Sequence, residues 1–335
     1  MIASLSFPLV TTPLFSFTIT LALIWWLIKG NTLKILDHPN SRSLHTEPVP
    51  RTGGVGVMLG VLASWVLLPV ALPLPVWLGV GLLVAVSLAD DIFTLPVWQR
   101  LLTHGATAVW LSATLLSGAH GWMLVIMIAF AIAWVTNLYN FMDGSDGLAG
   151  GMTLIGFSCY GLAAWLAGDE AFAMLNFSVA AAAAAFLLFN FHPARIFMGD
   201  TGSIPLGFLA AVFGTMGWIN GLWPLWLPLL VFSPFIADAT ATLAKRGVRG
   251  EKIWQAHREH YYQRLVQSGF GHRNTALLGY VLMLTAGASA VWAAKQDTMT
   301  QLGTGVAWSG VYLVMMFVFD RYWGRRCGDR QDAST

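Results

Sequence analysis

Residues 171–189 read AFAMLNFSVAAAAAAFLLF, an unbroken run without a charge. A helix that spans a bilayer needs about 20 mostly apolar residues, within a range of roughly 17–25. The run fits that length, and the chain repeats the pattern on both sides of it. Apolar segments lie at approximately 7–28, 53–72, 74–89, 101–117, 121–136, 148–167, 171–189, 204–219, 222–243, 275–294 and 303–320. Some are at or below the lower limit, and the short pair within 101–136 is the least regular. The pattern predicts an all-α polytopic integral membrane protein with about eleven transmembrane helices. The alanines at 181–185 allow neighbouring helices to approach closely in lipid.

Composition agrees. The chain has 335 residues, of which 56% are hydrophobic and only 10% charged, with a mean hydropathy of +0.66. Soluble domains carry roughly 25% charged residues. A soluble enzyme on a membrane anchor, a secreted disulfide scaffold and a disordered chain are all excluded. Cys159 and Cys327 suit neither a disulfide framework nor a zinc site. The first segment does not read as a cleavable signal peptide, because no basic residue precedes Lys29 and the apolar run is too long. The expected organisation is one transmembrane domain over 1–335, with 321–335 as a cytoplasmic tail.

The basic residues orient the chain. With eleven spans, the loops after spans one, three, seven and nine share a side with the C-terminus. They hold Lys29, Lys34, Arg42 and Arg51, then Arg100, then Arg195, then Lys245 to Arg273, and the tail adds Arg321 to Arg330. Of the 18 basic residues, Lys295 alone falls opposite. The positive-inside rule therefore predicts an external N-terminus and a cytoplasmic C-terminus.

The acids then carry the chemistry. Asp90 and Asp91 close the third span. Asp143 and Asp146 lie in Asn137-Leu-Tyr-Asn140-Phe-Met-Asp143-Gly-Ser-Asp146-Gly147, and Asp200 in Phe197-Met-Gly-Asp-Thr-Gly-Ser203. These groups open on the cytoplasmic face from three separate loops. Adjacent carboxylates at a span end repel and lose hydration, so they persist where a cation, a proton or a basic partner relieves them. Sulfur-free, oxygen-rich groups suit Mg²⁺, which takes carboxylates together with phosphates and waters. The glycines in both motifs look like tight turns. If residues 137 to 146 continued a helix, steps of three would place two Asn and two Asp along one slowly drifting ridge. Arginine and histidine complete the set in Asp37-His-Pro39 to Arg42 and His45, in Arg51-Thr-Gly53-Gly54, and in His257-Arg-Glu-His260 to Arg264. Arginine forks match phosphate oxygens. The active site is expected on the cytoplasmic face, with a Mg²⁺-bound pyrophosphate substrate and a second, lipidic phosphate. No P-loop is present to drive an ATP-powered pump.

These motifs resemble those of the polyprenyl-phosphate N-acetylhexosamine-1-phosphate transferase superfamily, the MraY/WecA family. The resemblance runs from about residue 35 to 270, in the family's order. It rests on Asp37, Pro39, Arg42, His45, Gly53 and Gly54, on the Asp90–Asp91 pair, on the complete Asn137 to Gly147 motif, and on Phe197 to Ser203. It implies transfer of N-acetylhexosamine 1-phosphate from a UDP-N-acetylhexosamine to undecaprenyl phosphate, with release of UMP. By similarity, Asp200 and Asn140 are the expected Mg²⁺ ligands, with Mn²⁺ as an alternative ion. Asp90 is expected to deprotonate or orient the lipid phosphate, with Asp91 supporting it. Asn137, Asp143, Asp146 and His260 are assigned to the nucleotide-sugar, and Arg100, Arg42 and His45 to the lipid phosphate. Asp238 reads as a buried hydrogen-bonding group outside the site.

Two positions depart from the family pattern. Thr94 stands where a third acid is common. His260-Tyr261-Tyr262-Gln263 replaces His-x-His-His. The second departure points away from an MraY-type phospho-N-acetylmuramoyl-pentapeptide transferase. It favours the WecA-like branch that begins O-antigen or related cell-envelope polysaccharides in the bacterial inner membrane. The expected partners are the bilayer and the two substrates, with no nucleic acid; a homodimer is left open. From other classes, a secondary transporter of an anionic metabolite would carry ionisable groups near the bilayer midplane. A lipid-pyrophosphate phosphatase would need no nucleotide site.

Overall fold

A computed structural model describes residues 7–30, 35–39, 43–68, 72–116, 118, 120–252 and 257–332. Among the described residues, the regular elements are helices apart from one two-residue antiparallel pair, β1 (Leu36–Asp37) with β2 (Val49–Pro50). The helices are α1 (Phe7–Gly30), α2 (Gly53–Val66), α3 (Leu74–Phe93), α4 (Val97–Leu116), α5 (Trp122–Phe141), α6 (Leu148–Ala167) and α7 (Glu170–Asn190). They continue as α8 (Asp200–Ile219), α9 (Trp226–Val231), α10 (Ser233–Val248), α11 (Tyr261–Leu265), α12 (Gly271–Ala293) and α13 (Thr298–Asp332).

Among the described residues, eight helical stretches are long and apolar enough to cross a membrane. They are α1, α3, α5, α6, α7, α8, the continuous stretch Tyr261–Ala293, and α13. The molecule is a multi-pass membrane protein. Every expected segment falls on helix, but three lie outside this group. α2 has 14 residues. α4 carries Gln99, Arg100 and His104, which dilute its apolar character. The ninth segment is split at Phe232, where Pro234 in the first turn of α10 cannot continue α9. The helix after residue 320 runs on to Asp332, so much of the expected tail extends α13.

The alanine-rich α7 packs between α1 and α6. Ala182, Ala183 and Ala185 are fully buried there, as close packing of small residues requires. The most enclosed helix is α8, whose residues Thr201 to Ala210 are all buried. It contacts α2, α3, α5, α6 and α9, which brings the ends of α3 and α5 to its N-terminus.

Candidate active site

The N-terminus of α8 organises the acids. The first amides of a helix have no partner within it. Gly199 precedes Asp200 and has no side chain to supply one. Asp91, from the last turn of α3, does so: its carboxylate accepts from the Thr201 amide at 3.0 Å, from Thr201 Oγ1 at 2.6 Å and from the Asp200 amide at 3.3 Å. Arg51 closes the other side, donating from Nη2 to the Asp91 carbonyl at 2.6 Å, with Nε 3.7 Å from the carboxylate. Gly199 sits at φ 70°, and a Cβ there would lie 2.4 Å from the Arg51 carbonyl oxygen. Only glycine fits both demands.

Asp90 turns the other way. It accepts from the Leu95 amide at 2.6 Å and from Arg100 Nη1 at 2.8 Å. Thr94, in the left-handed region at φ 55°, makes the turn that presents the Leu95 amide. The position of the missing third acid thus serves as a helix end. The same Arg100 nitrogen reaches Asp200 Oδ2 at 3.2 Å.

The Asn/Asp motif divides in two. Asn137 and Asn140 lie on α5, which ends at Phe141, so the helical ridge stops there and Asp143 and Asp146 fall in the following turn. Asn140 Oδ1 accepts from Ser203 Oγ at 3.0 Å. Asn137 Oδ1 lies 3.1 Å from His104 Nδ1. Asp143 is partly accessible, yet protein surrounds its carboxyl. Burial pushes it well above the usual carboxylate range, and repulsion from Asp200, Asp91 and Asp37 adds to this. Asp146 points into a different group. It accepts from the Ala194 amide at 3.1 Å, with His192 Nδ1 at 2.6 Å and His272 Nδ1 at 3.8 Å, and the two imidazoles stack at 5.4 Å.

Loop one lies along the Phe197–Ser203 segment. The amides of Gly53 and Gly54 donate to the carbonyls of Phe197 and Met198 at 2.9 and 2.8 Å, and the Phe197 amide donates to the Pro50 carbonyl at 2.7 Å. His45 stacks edge-on against Phe197, 3.7 Å from Asp37. Arg42 lies outside the described residues.

His260 is buried. Its Nδ1 lies 3.2 Å from Asp238, and its ring stacks over Phe141 at 6.3 Å. Asp238 also accepts from the amides of Tyr261 and Tyr262, each at 2.9 Å, and so anchors α11. Tyr262 donates from its hydroxyl to the Phe141 carbonyl at 3.0 Å, and the Gln263 side chain accepts from the His260 amide at 3.2 Å. Where the family motif would place further histidines, Tyr262 ties α11 to the end of α5 and Gln263 caps the first turn of α11.

His192 and His272 are not among the residues expected at the site, Asp238 is expected outside it, and Arg51, expected only as one of the phosphate-matching arginines, braces Asp91. Arg51 has a visible signal, since it stands two residues before the Gly53–Gly54 pair. The histidines have none, because their partner Asp146 is distant in sequence.

Charge balance is the test for a cation. Asp90, Asp91, Asp143 and Asp200 converge with Arg51 and Arg100, so carboxylates outnumber guanidiniums. That excess fits a divalent ion. Among the described residues, no three His, Cys, Asp or Glu side chains are grouped to hold a metal by themselves. An ion here would keep waters and substrate phosphates among its ligands, as Mg²⁺ does.

Comparison with known proteins covers the same ground. Residues 74–217, from α3 through most of α8, match the family model of glycosyl transferase family 4. The chain is 27% identical over 320 residues to a Bacillus subtilis protein named probable undecaprenyl-phosphate N-acetylglucosaminyl 1-phosphate transferase, covering 90% of this chain and 87% of that one. It is 28% identical over 339 residues to the Mycobacterium leprae decaprenyl-phosphate N-acetylglucosaminephosphotransferase, covering 86% and 83%. It is 26% identical over 269 residues to the Escherichia coli undecaprenyl-phosphate alpha-N-acetylglucosaminyl 1-phosphate transferase, covering 73% and 72%.

Proposed function

We propose that this chain is a member of the polyprenyl-phosphate N-acetylhexosamine-1-phosphate transferase superfamily and transfers N-acetylglucosamine 1-phosphate from UDP-N-acetylglucosamine to undecaprenyl phosphate. The names of the relatives support the sugar phosphate and the lipid acceptor. The observation that carries the reading is the junction of Asp90, Asp200 and Arg100 at the ends of two apolar helices. Charged groups at the ends of apolar helices support a site shared by a lipid phosphate and a soluble nucleotide.

A phosphate oxygen of the acceptor attacks the phosphorus that carries the sugar. The bond from that phosphorus to the bridging oxygen breaks, and UMP leaves with the electron pair. Asp200 and Asn140, with Asp143 nearby, are the residues that would hold Mg²⁺ or Mn²⁺. Such an ion supplies neutralisation of pyrophosphate charge. A phosphate's second pKa is near 6, so Asp90 acts chiefly by orienting the acceptor. Arg100 keeps Asp90 and Asp200 together before substrate binds and turns toward phosphate oxygens when it does. Asp91 has its acceptor positions engaged by the α8 amides and by Thr201, so it is a positioning residue. By the resemblance, Asn137, Asp143, Asp146 and His260 are assigned to the donor, and Arg42 and His45 to the acceptor. Positioning and electrostatics carry the rate.

The proposal includes eleven spans, an external N-terminus, a cytoplasmic site in one domain, and residence in the bacterial inner membrane. The reaction would be the first membrane step of O-antigen or related polysaccharide synthesis. The packing roles of Tyr262 and Gln263 favour this branch over an MraY-type enzyme.

The test is UMP release by detergent-purified protein given undecaprenyl phosphate, Mg²⁺ and a panel of UDP-N-acetylhexosamines. UMP that requires lipid, metal and Asp200, and that is fastest with the N-acetylglucosamine donor, is the expected result. Folded protein that releases none with any donor would overturn the transferase reading.

A further inference from the structure

Away from the site carboxylates, α13 borders a half-open cavity of about 550 Å³ with α10, α11, α12 and the start of α6. Its wall is apolar, with Leu278, Leu282, Met315, Val318 and Phe319 among the lining residues. Val318 is more than half exposed, so α13 covers the space loosely. An apolar lining of this kind does not hold water and takes hydrocarbon in its place. If each methylene fills about the volume of one water, about 30 Å³, the space takes on the order of 15–20 of them, one acyl chain.

The rim is cationic. Lys245 Nζ and the Arg264 guanidinium each lie 5.0 Å from the ring of Tyr261, a lining residue, and Arg264 is equally close to Phe319. Both cations share the single carboxylate of Asp320, which leaves one net positive charge. The exposed Arg321 follows it in the chain. The cavity lies apart from the acceptor site. Asp90, Arg100 and Asp200 belong to α3, α4 and α8, and none of these helices lines it.

We propose that this cavity holds one acyl chain of an anionic bilayer phospholipid, with its headgroup against Lys245 and Arg264. The bound lipid supports the outer face of α11, because Asp238 and Tyr262 also line the space.

The test uses the full chain in nanodiscs of phosphatidylglycerol doped with a phosphatidylglycerol whose acyl chain carries a diazirine. After photolysis, adducts are mapped by mass spectrometry. They are expected on Leu278, Leu282, Met315 and Val318, with weaker labelling from the matching phosphatidylcholine probe. Leu282→Trp and Val318→Trp should each reduce labelling severalfold, because the added ring fills space that the acyl chain would occupy. Adducts spread evenly over the lipid-facing surface would overturn the proposal, as would equal labelling by both probes. Displacement of the label by undecaprenyl phosphate would assign the cavity to the acceptor's tail instead. Photo-crosslinks between two α13 helices would assign it to a second copy. Should the tryptophan variants misfold, the wild-type adduct map decides alone.

Discussion

Arg100 Nη1 stands 2.8 Å from Asp90 Oδ2 and 3.2 Å from Asp200 Oδ2. One guanidinium nitrogen thus joins the end of α3 to the start of α8. Two carboxylates held this close repel strongly unless a cation lies between them. Removing the cation should therefore cost more than one phosphate contact. Arg100→Ala is expected to lower kcat for UMP release about 10²–10³-fold, as loss of a preorganised charge does. Arg100→Lys keeps the charge but loses the planar fork, and should recover activity only in part. Full activity in Arg100→Ala would remove the residue from the site.

Asp91 makes a different prediction. Asp91→Asn puts an amide where two helix amides and a hydroxyl now donate. The lost cap should lower stability by about 1–2 kcal/mol, read as a fall in Tm. Activity should fall because Asp200 is displaced, while the pH profile of the remaining activity keeps its shape. A changed profile with an unchanged Tm would make Asp91 a titrating participant instead.

Asp143 links the site to pH. Its carboxyl lies above the usual range, chiefly through burial and then through Asp200, Asp91 and Asp37. The folded state therefore holds the proton more tightly than the unfolded chain does. Stability is full below the ordinary aspartate value of about 4 and declines as pH rises toward the raised value. In EDTA, Asp143→Asn should melt higher than the wild type at neutral pH, by on the order of 2 °C. The two should converge under acid conditions. A variant that melts lower at pH 7 would contradict the crowding of these acids.

Asp238 should behave as an anchor for loop nine. Asp238→Ala leaves the Tyr261 and Tyr262 amides without their acceptor, at about 1–3 kcal/mol for each unpaired group. His260 and α11 lose their seat against Phe141. The expected phenotype is a raised KM for the nucleotide-sugar, with the effect on kcat smaller. An unchanged KM would place α11 away from the donor.

Much of this arrangement was legible as pattern. The apolar segments, and the grouping of Asp90, Asp143 and Asp200 at one end of the helices, follow from spacing and charge alone. The break between α9 and α10 was signalled by Ser233-Pro234 and still fell inside one apolar run, because hydropathy averages over a kink. The length of α13 was hidden for the opposite reason: Arg and Gln favour helix even where they end a span. The acids' partners were harder to see. Asp238 reaches backbone amides 23 and 24 residues away, and Asp91 caps a helix that begins 109 residues later. No periodicity records such bonds. Asp143 and Asp146 share a motif and separate in space, because α5 ends before either of them.

The strapping of loop one onto Phe197 and Met198 has a consequence for synthesis. The amides of Gly53 and Gly54 emerge from the ribosome long before the carbonyls that accept from them. At roughly 5–20 residues per second, the wait lasts on the order of ten to thirty seconds. Throughout it, the nascent chain displays an unlatched loop, and Asp91 has no helix to cap. A chain truncated before residue 197 would keep that loop open permanently, which offers proteolytic surveillance a mark that distinguishes unfinished copies from finished ones.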